Sequence, residues 1–239
     1  MDEAIKNLSA DLDGAYGNVM KRIESRKSKQ ALAVLSWIYR ARCPLRMEEL
    51  REALSVKSKQ KDLLKEALLP PSQVLIQICE GLIHDMDGVI QFAHFTVPEF
   101  LKSKYEEPLL SDTVIGSTCL TYLGFNVFNE QCSDHKSLRA RCERYKFSRY
   151  AALYWADHMR GEAEEKVEVQ NAIFESFGSA GRVESIWQID IDSGGISGEF
   201  RASNGTSCIH IMAAKGLSTL CKSLLTEIND KYVPEFAQC

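Results

Sequence analysis

Three observations predict the fold class: apolar residues recurring every three or four positions, one Asp-Gly turn between strand-like runs, and a repeat-like tail. It is mainly α, a winged helix with a small β-hairpin, followed by a helical connector and ankyrin-like helix pairs. The expected domains are residues 1–108, 109–176 and 177–239. Hydrophobic residues make up 45% of the 239-residue chain and charged residues 26%. That balance supports a packed core and argues against disorder.

Leu12, Tyr16, Val19, Met20 and Ile23 mark the first helical face. Ala31, Leu32, Leu35, Ile38 and Tyr39 mark a second helix, ended near Pro44. "LRMEELREALSV" supplies a third, with Leu50 and Leu54 on one side. A lysine-rich connector, "KSKQKDLLK", leads to Pro70 and Pro71. "SQVLIQICEGLI" reads as helix passing into strand, and Asp87-Gly88 in "MDGVIQFAHF" as a hairpin turn. Three helices and a terminal hairpin make a winged helix. "TVPEF" fits the start of the next helix, with Thr96 as N-cap, Glu99 three residues on, and Pro98 where no backbone donor is needed.

From about Leu109 the signals are helical throughout. "TVIGSTCLTYLGFNVF" is one candidate, and "KSLRARCERYKFSRYAALYWADHMR" carries a stripe of Phe147, Tyr150, Ala151, Tyr154 and Trp155. "RGEAEEKVEVQ" opens a further helix through Ile173 and Phe177. The tail "NGTSCIHIMAAKGLSTLCKSLL" lies on the ankyrin pattern, with Gly205, Ser207, Ile209, His210, Ala213 and Gly216 in register. A weaker copy, "FGSAGRVESIWQIDID", puts Gly181 in the place of Gly216, close to the roughly 33-residue period. Two imperfect units cannot bury their faces alone, so the array is expected to continue beyond Cys239 or to be capped by the helices before it.

Several function classes find little support. The net charge of −4 gives no general nucleic-acid footprint, and no run approaches membrane-spanning length. The acidic start "MDEAIKNLSADLDG" lacks the order of a signal peptide, and none of the eight cysteines forms a CxxC pair. Free thiols in a reducing compartment follow, and a cytoplasmic location is expected. "GLSTLCKS" spaces Lys222-Ser223 like a P-loop, but Cys221 occupies the second glycine and would obstruct a phosphate. Cys132, His135, Cys142 and His158 match no zinc spacing. Cys208 beside His210 is no dyad on proximity alone, and His210 has a structural job in an ankyrin turn. The run "HKSLRARCERYKFSR" sets six cations against Glu143, which suits a solvated face or a contact with another domain. The expected recognition helix, "MEELREAL", is acidic and would repel phosphates.

His94 stands where the hairpin meets the capped helix. A catalytic base, a nucleotide sensor and a structural histidine are all open readings of its chemistry.

"VLSWIYRARCPLRMEELREALSV", "GLIHDMDGVIQFAHFTVPEFL", "LTYLGF" and "SRYAALYWADHMR", in that order and followed by ankyrin units, resemble the region after the NACHT module in filamentous-fungal STAND NTPases. These signalling proteins are related to NOD-like receptors, and their winged helix is of the type named after GPI inositol-deacylase. The resemblance implies a non-catalytic segment that controls a nucleotide-dependent switch. ATP or ADP would sit on an upstream NACHT domain in cis, and this chain itself would hold no cofactor. The repeats would bind a protein ligand, and activation would permit homo-oligomerisation. "HFTVPEFL" resembles the pattern His-x-Ser-Phe-x-Glu-Phe, which implies that His94 senses the ADP phosphates. Thr96 stands for Ser and Val97 for Phe, while Glu99 and Phe100 match. The opening "AIKNLSADLDGAYGNVMKRI" resembles the passage out of the nucleotide module, so a cut or truncated start at Met1 is expected. The rival classes are a stand-alone ankyrin adaptor, a winged-helix nucleic-acid binder and an unrecognised hydrolase.

Overall fold

In the computed structural model, which describes residues 2–63, 65, 69–195 and 208–226 (backbone alone at 2–11 and 26–28), helix α1 runs unbroken over Asp2–Arg40. The sequence pattern suggested two helices here. The interval "ESRKSKQ" interrupts the apolar stripe but contains neither Gly nor Pro, and its lysines, arginine and glutamine are good helix formers. A polar interval therefore solvates the helix without ending it.

The chain divides into two compact units, Met1–Ser55 with Leu64–Ser111 and Val56–Leu63 with Asp112–Cys239. In the first, α1 is followed by β1 (Leu45–Arg46), α2 (Met47–Ser55), α3 (Ser72–Ile78), β2 (Ile83–Met86), β3 (Val89–Phe92) and α4 (Thr96–Lys104). The sheet is antiparallel with order β1-β3-β2, pairing Leu45 with Ile90 and Met86 with Val89. This is the winged-helix order. Its third helix is α3, "SQVLIQI", and not the acidic "MEELREALS", which forms α2. The helix in the recognition position is therefore α3 and not the acidic α2, and α3 carries no cation either.

The hairpin turns on Asp87 and Gly88, with φ of 54° and 83°. Both central residues are left-handed, as the tight turn demands, and the Asp85 carboxylate accepts from the Gly88 N–H at 2.7 Å. Met20, Ile23, Leu35, Leu45, Leu50, Leu75, Ile90 and Leu101 form the core. The Phe100 ring lies 5.3 Å from Tyr16, which seats α4 on α1. Leu110 is tied to the same helix: its N–H donates to Ser36 Oγ at 2.9 Å, and its carbonyl accepts from Arg40 Nε at 2.6 Å.

The second unit contains α5 (Asp112–Leu123), α6 (His135–Arg144), α7 (Ser148–Met159), α8 (Val167–Ser176), α9 (Ala180–Asp192) and α10 (Cys208–Ala214), with residues 218–226 also helical. Tyr122, Phe125, Phe128, Phe147 and Trp155 are fully buried at its centre. Gly116 lets α5 approach α7, because a Cβ there would sit 3.0 Å from Met159. The 56–63 loop joins this unit through two bonds: Asn126 N–H donates to Lys61 O at 2.9 Å, and Tyr145 Oη donates to Asp62 Oδ1 at 2.8 Å.

Gly216, with φ of 72°, turns the chain between α10 and the helix from 218. It precedes that helix by two residues, as Gly178 precedes α9. Gly181 instead lies in the first turn of α9, so Gly178 is the positional counterpart of Gly216. Gly205 and Ser207 lie outside the described residues. No helix among the described residues is long and apolar enough to cross a membrane.

Candidate functional site

His94 is the middle of the three residues that carry the chain from β3 into α4. Ile90 is buried and Phe92 half-buried on β3, while His94, past the end of the strand, is exposed. The expected capping box does not form. Phe95 is the N-cap residue and makes no side-chain cap bond, while Thr96 is the first helical residue. The Thr96 hydroxyl is engaged elsewhere, 2.7 Å from His94 Nδ1 and 2.9 Å from Tyr16 Oη.

The Thr96 N–H also donates to His94 Nδ1, at 3.3 Å. A nitrogen that accepts from an amide carries no proton, so in the neutral ring the proton lies on Nε2. The bond order is then Tyr16 Oη to Thr96 Oγ1 to His94 Nδ1. Nε2–H has no partner among the described residues. The ring also rests on Phe95, 4.3 Å between centroids, and Phe95 is itself 76% exposed.

Helix N-termini favour anions because their first amides lack intrahelical partners. At α4 these donors are occupied: Thr96 N–H reaches the imidazole, Val97 N–H reaches the His94 carbonyl at 3.1 Å, and Pro98 has none. What α4 offers to a ligand is its dipole and the outward Nε2–H of a fixed imidazole. Tyr16 was not legible as part of this cluster. It lies 80 residues away and read as one more position on an apolar stripe.

Residues 18–115 match the family model of the GPI inositol-deacylase winged helix domain. The match spans most of α1 and every later element of the first unit, so the winged helix carries His94 at the junction after its wing. No curated protein and no solved structure matches the chain.

Other candidates are placed apart. His158, whose side chain is fully buried, bridges α7 to α5, with Nδ1 2.6 Å from Asp112 Oδ1 and Nε2 2.9 Å from Tyr150 Oη. An acid, an imidazole and a hydroxyl in series can activate a nucleophile. Here the hydroxyl belongs to Tyr150, only 2% exposed, and the chain ties two core helices. His135 is exposed beside Asp192, while Cys132 and Cys142 are buried. Among the described residues no group of three or more His, Cys, Asp or Glu could hold a metal ion.

"GLSTLCKS" forms a turn and a helix, with Cys221 inside the helix. His210 is exposed on α10, and the turn before it lies outside the described residues. At least three cations of the basic run are engaged within the unit, Lys146 with Glu143 at 2.7 Å among them. Arg141 donates to Glu130 O and Ser185 Oγ, both at 2.8 Å, and Arg149 pairs with Asp192 at 2.7 Å.

Proposed function

We propose that this chain is the non-catalytic regulatory and interaction segment of a STAND/NACHT-type signalling NTPase. In this reading the winged helix docks on an upstream NACHT domain that holds ADP, and His94 Nε2 donates to a phosphate oxygen. Docking biases a closed–open equilibrium, and a protein ligand on the C-terminal helix pairs shifts it toward an open, oligomerising form. One observation carries the reading. His94 is exposed with one ring nitrogen fixed by Thr96 and the other left to donate, at a helix N-terminus where negative charge is favoured. The winged-helix match over residues 18–115 agrees with it.

The helix pair after residue 207, with its Gly216 turn, is the unit from which an ankyrin array would be built. We read it as the start of the ligand-sensing repeats. A cytoplasmic protein with many free thiols fits this role, and neither nucleic acid nor membrane is part of it.

The test uses the polypeptide that contains both the nucleotide module and this segment. His94→Ala should release bound ADP about tenfold faster, in line with loss of one charge-assisted hydrogen bond. It should also raise the oligomeric fraction at equal nucleotide. Unchanged ADP retention in a folded His94→Ala protein would contradict the sensor role.

A further inference from the structure

A cleft of ≈ 440 Å³ opens in the second unit between the 56–63 loop, α5 and the junction of α8 with α9. Its lining includes Lys59, Lys61 and Arg182, against a single acid, Glu175. Hydroxyls of Thr121 and Ser176 contribute to its helical wall, each already donating to a carbonyl of its own helix, Ser117 O and Ala172 O. The loop is held in place, since the Lys61 carbonyl accepts from Asn126 and Gln60 N–H closes a turn onto Lys57 O.

The charges in the cleft are not balanced. Among the described residues neither lysine is ion-paired, and the Glu175 carboxylate pairs with no cation. Arg182 has no carboxylate partner either. Its Nη1 donates to Glu175 O at 3.4 Å, its Nη2 donates to Asn129 Oδ1, and its Nε is buried with no partner. A guanidinium taken partly out of water without a counter-ion is costly, and burial pulls its pKa down. A bound anion would neutralise the three cations that line the cleft. Clefts of this volume hold ligands larger than one phosphate group.

We propose that this cleft binds a small phosphate-bearing anion, held by the Arg182 guanidinium and by the ammonium groups of Lys59 and Lys61. Arginine supplies the planar fork that phosphate oxygens match, and the lysines supply point charges at the mouth. The proposal does not depend on the role of His94.

Calorimetric titration of the full chain with pyrophosphate at low ionic strength tests it. Saturable binding of one pyrophosphate per chain is expected, weakening as salt is raised. The Lys59→Ala/Lys61→Ala double variant changes only exposed loop side chains. It should bind about tenfold more weakly while keeping the wild-type melting temperature. Arg182→Lys, which keeps the charge and removes the fork, should show a similar loss with an unchanged circular dichroism spectrum. Absence of pyrophosphate binding by the folded chain would overturn the proposal, as would equal affinity in both variants. Retention on vesicles containing phosphorylated phosphatidylinositol, without pyrophosphate binding, would also overturn it and point to a membrane surface.

Discussion

Tyr145 shows how much one buried side chain can decide. Burial, and then its bond to Asp62, push its phenol from 10.0 up to about 12. A raised folded-state pKa means that this contribution is complete below pH 10 and is lost as pH climbs through about 12. Tyr145→Phe should cost about 1 kcal/mol by urea denaturation at neutral pH, with a shallower fall in stability across that alkaline window. Gly181 is a second case. A Cβ there would meet the Asn129 carbonyl oxygen at 2.5 Å, so Gly181→Ala should lose about 1–3 kcal/mol. That exceeds the gain of about 1 kcal/mol expected from helix propensity. The sequence marked Gly181 as a repeat glycine, but its role is this close approach, and no local pattern announces a carbonyl some fifty residues earlier. His94 was legible because it stands at a change of period. Its partner Tyr16 was not, because a hydroxyl on an apolar stripe gives no sign of what it faces.

Elements were legible where the backbone itself demands a residue type. Asp87-Gly88 marked the hairpin because its turn needs two left-handed residues. Caps were harder to read. "TVPEF" has capping-box spacing, but the Thr96 hydroxyl is drawn to His94 and Tyr16 instead. The box that does form is Asp134 with Ser137 at the start of α6, missed because Ser replaces the usual Glu or Gln. Ser137 N–H, the largest cause, holds the Asp134 carboxyl below its ordinary value of 3.8. A lowered folded-state pKa means that the cap is at full strength above 3.8 and fails as pH falls further through the folded value. Asp134→Ala should therefore speed hydrogen exchange in the first turn of α6 at neutral pH, and Asp134→Asn should restore most of the protection. Equal exchange rates in wild type and Asp134→Ala would show that the box does not hold the helix start.

At the scale of the whole molecule, the mainly α class and the winged helix followed from periodicity and one turn. The path of the chain did not. The lysine-rich run "KSKQKDLLK" reads as a connector within the winged helix, yet the bonds of Lys61 and Asp62 place residues 56–63 with the second unit. Composition cannot reveal which partner a polar loop will bond. The same limit applies to the central claim, because a switch needs a nucleotide module that no residue described here supplies. The most direct test is the size of the native polypeptide in the cells that make it, detected with an antibody raised against residues 18–115. The account predicts a band far above the 26.9 kDa of this chain, with a P-loop in its upstream peptides. A single band at 26.9 kDa would contradict it, leaving an adaptor whose His94 has no nucleotide domain in cis to sense.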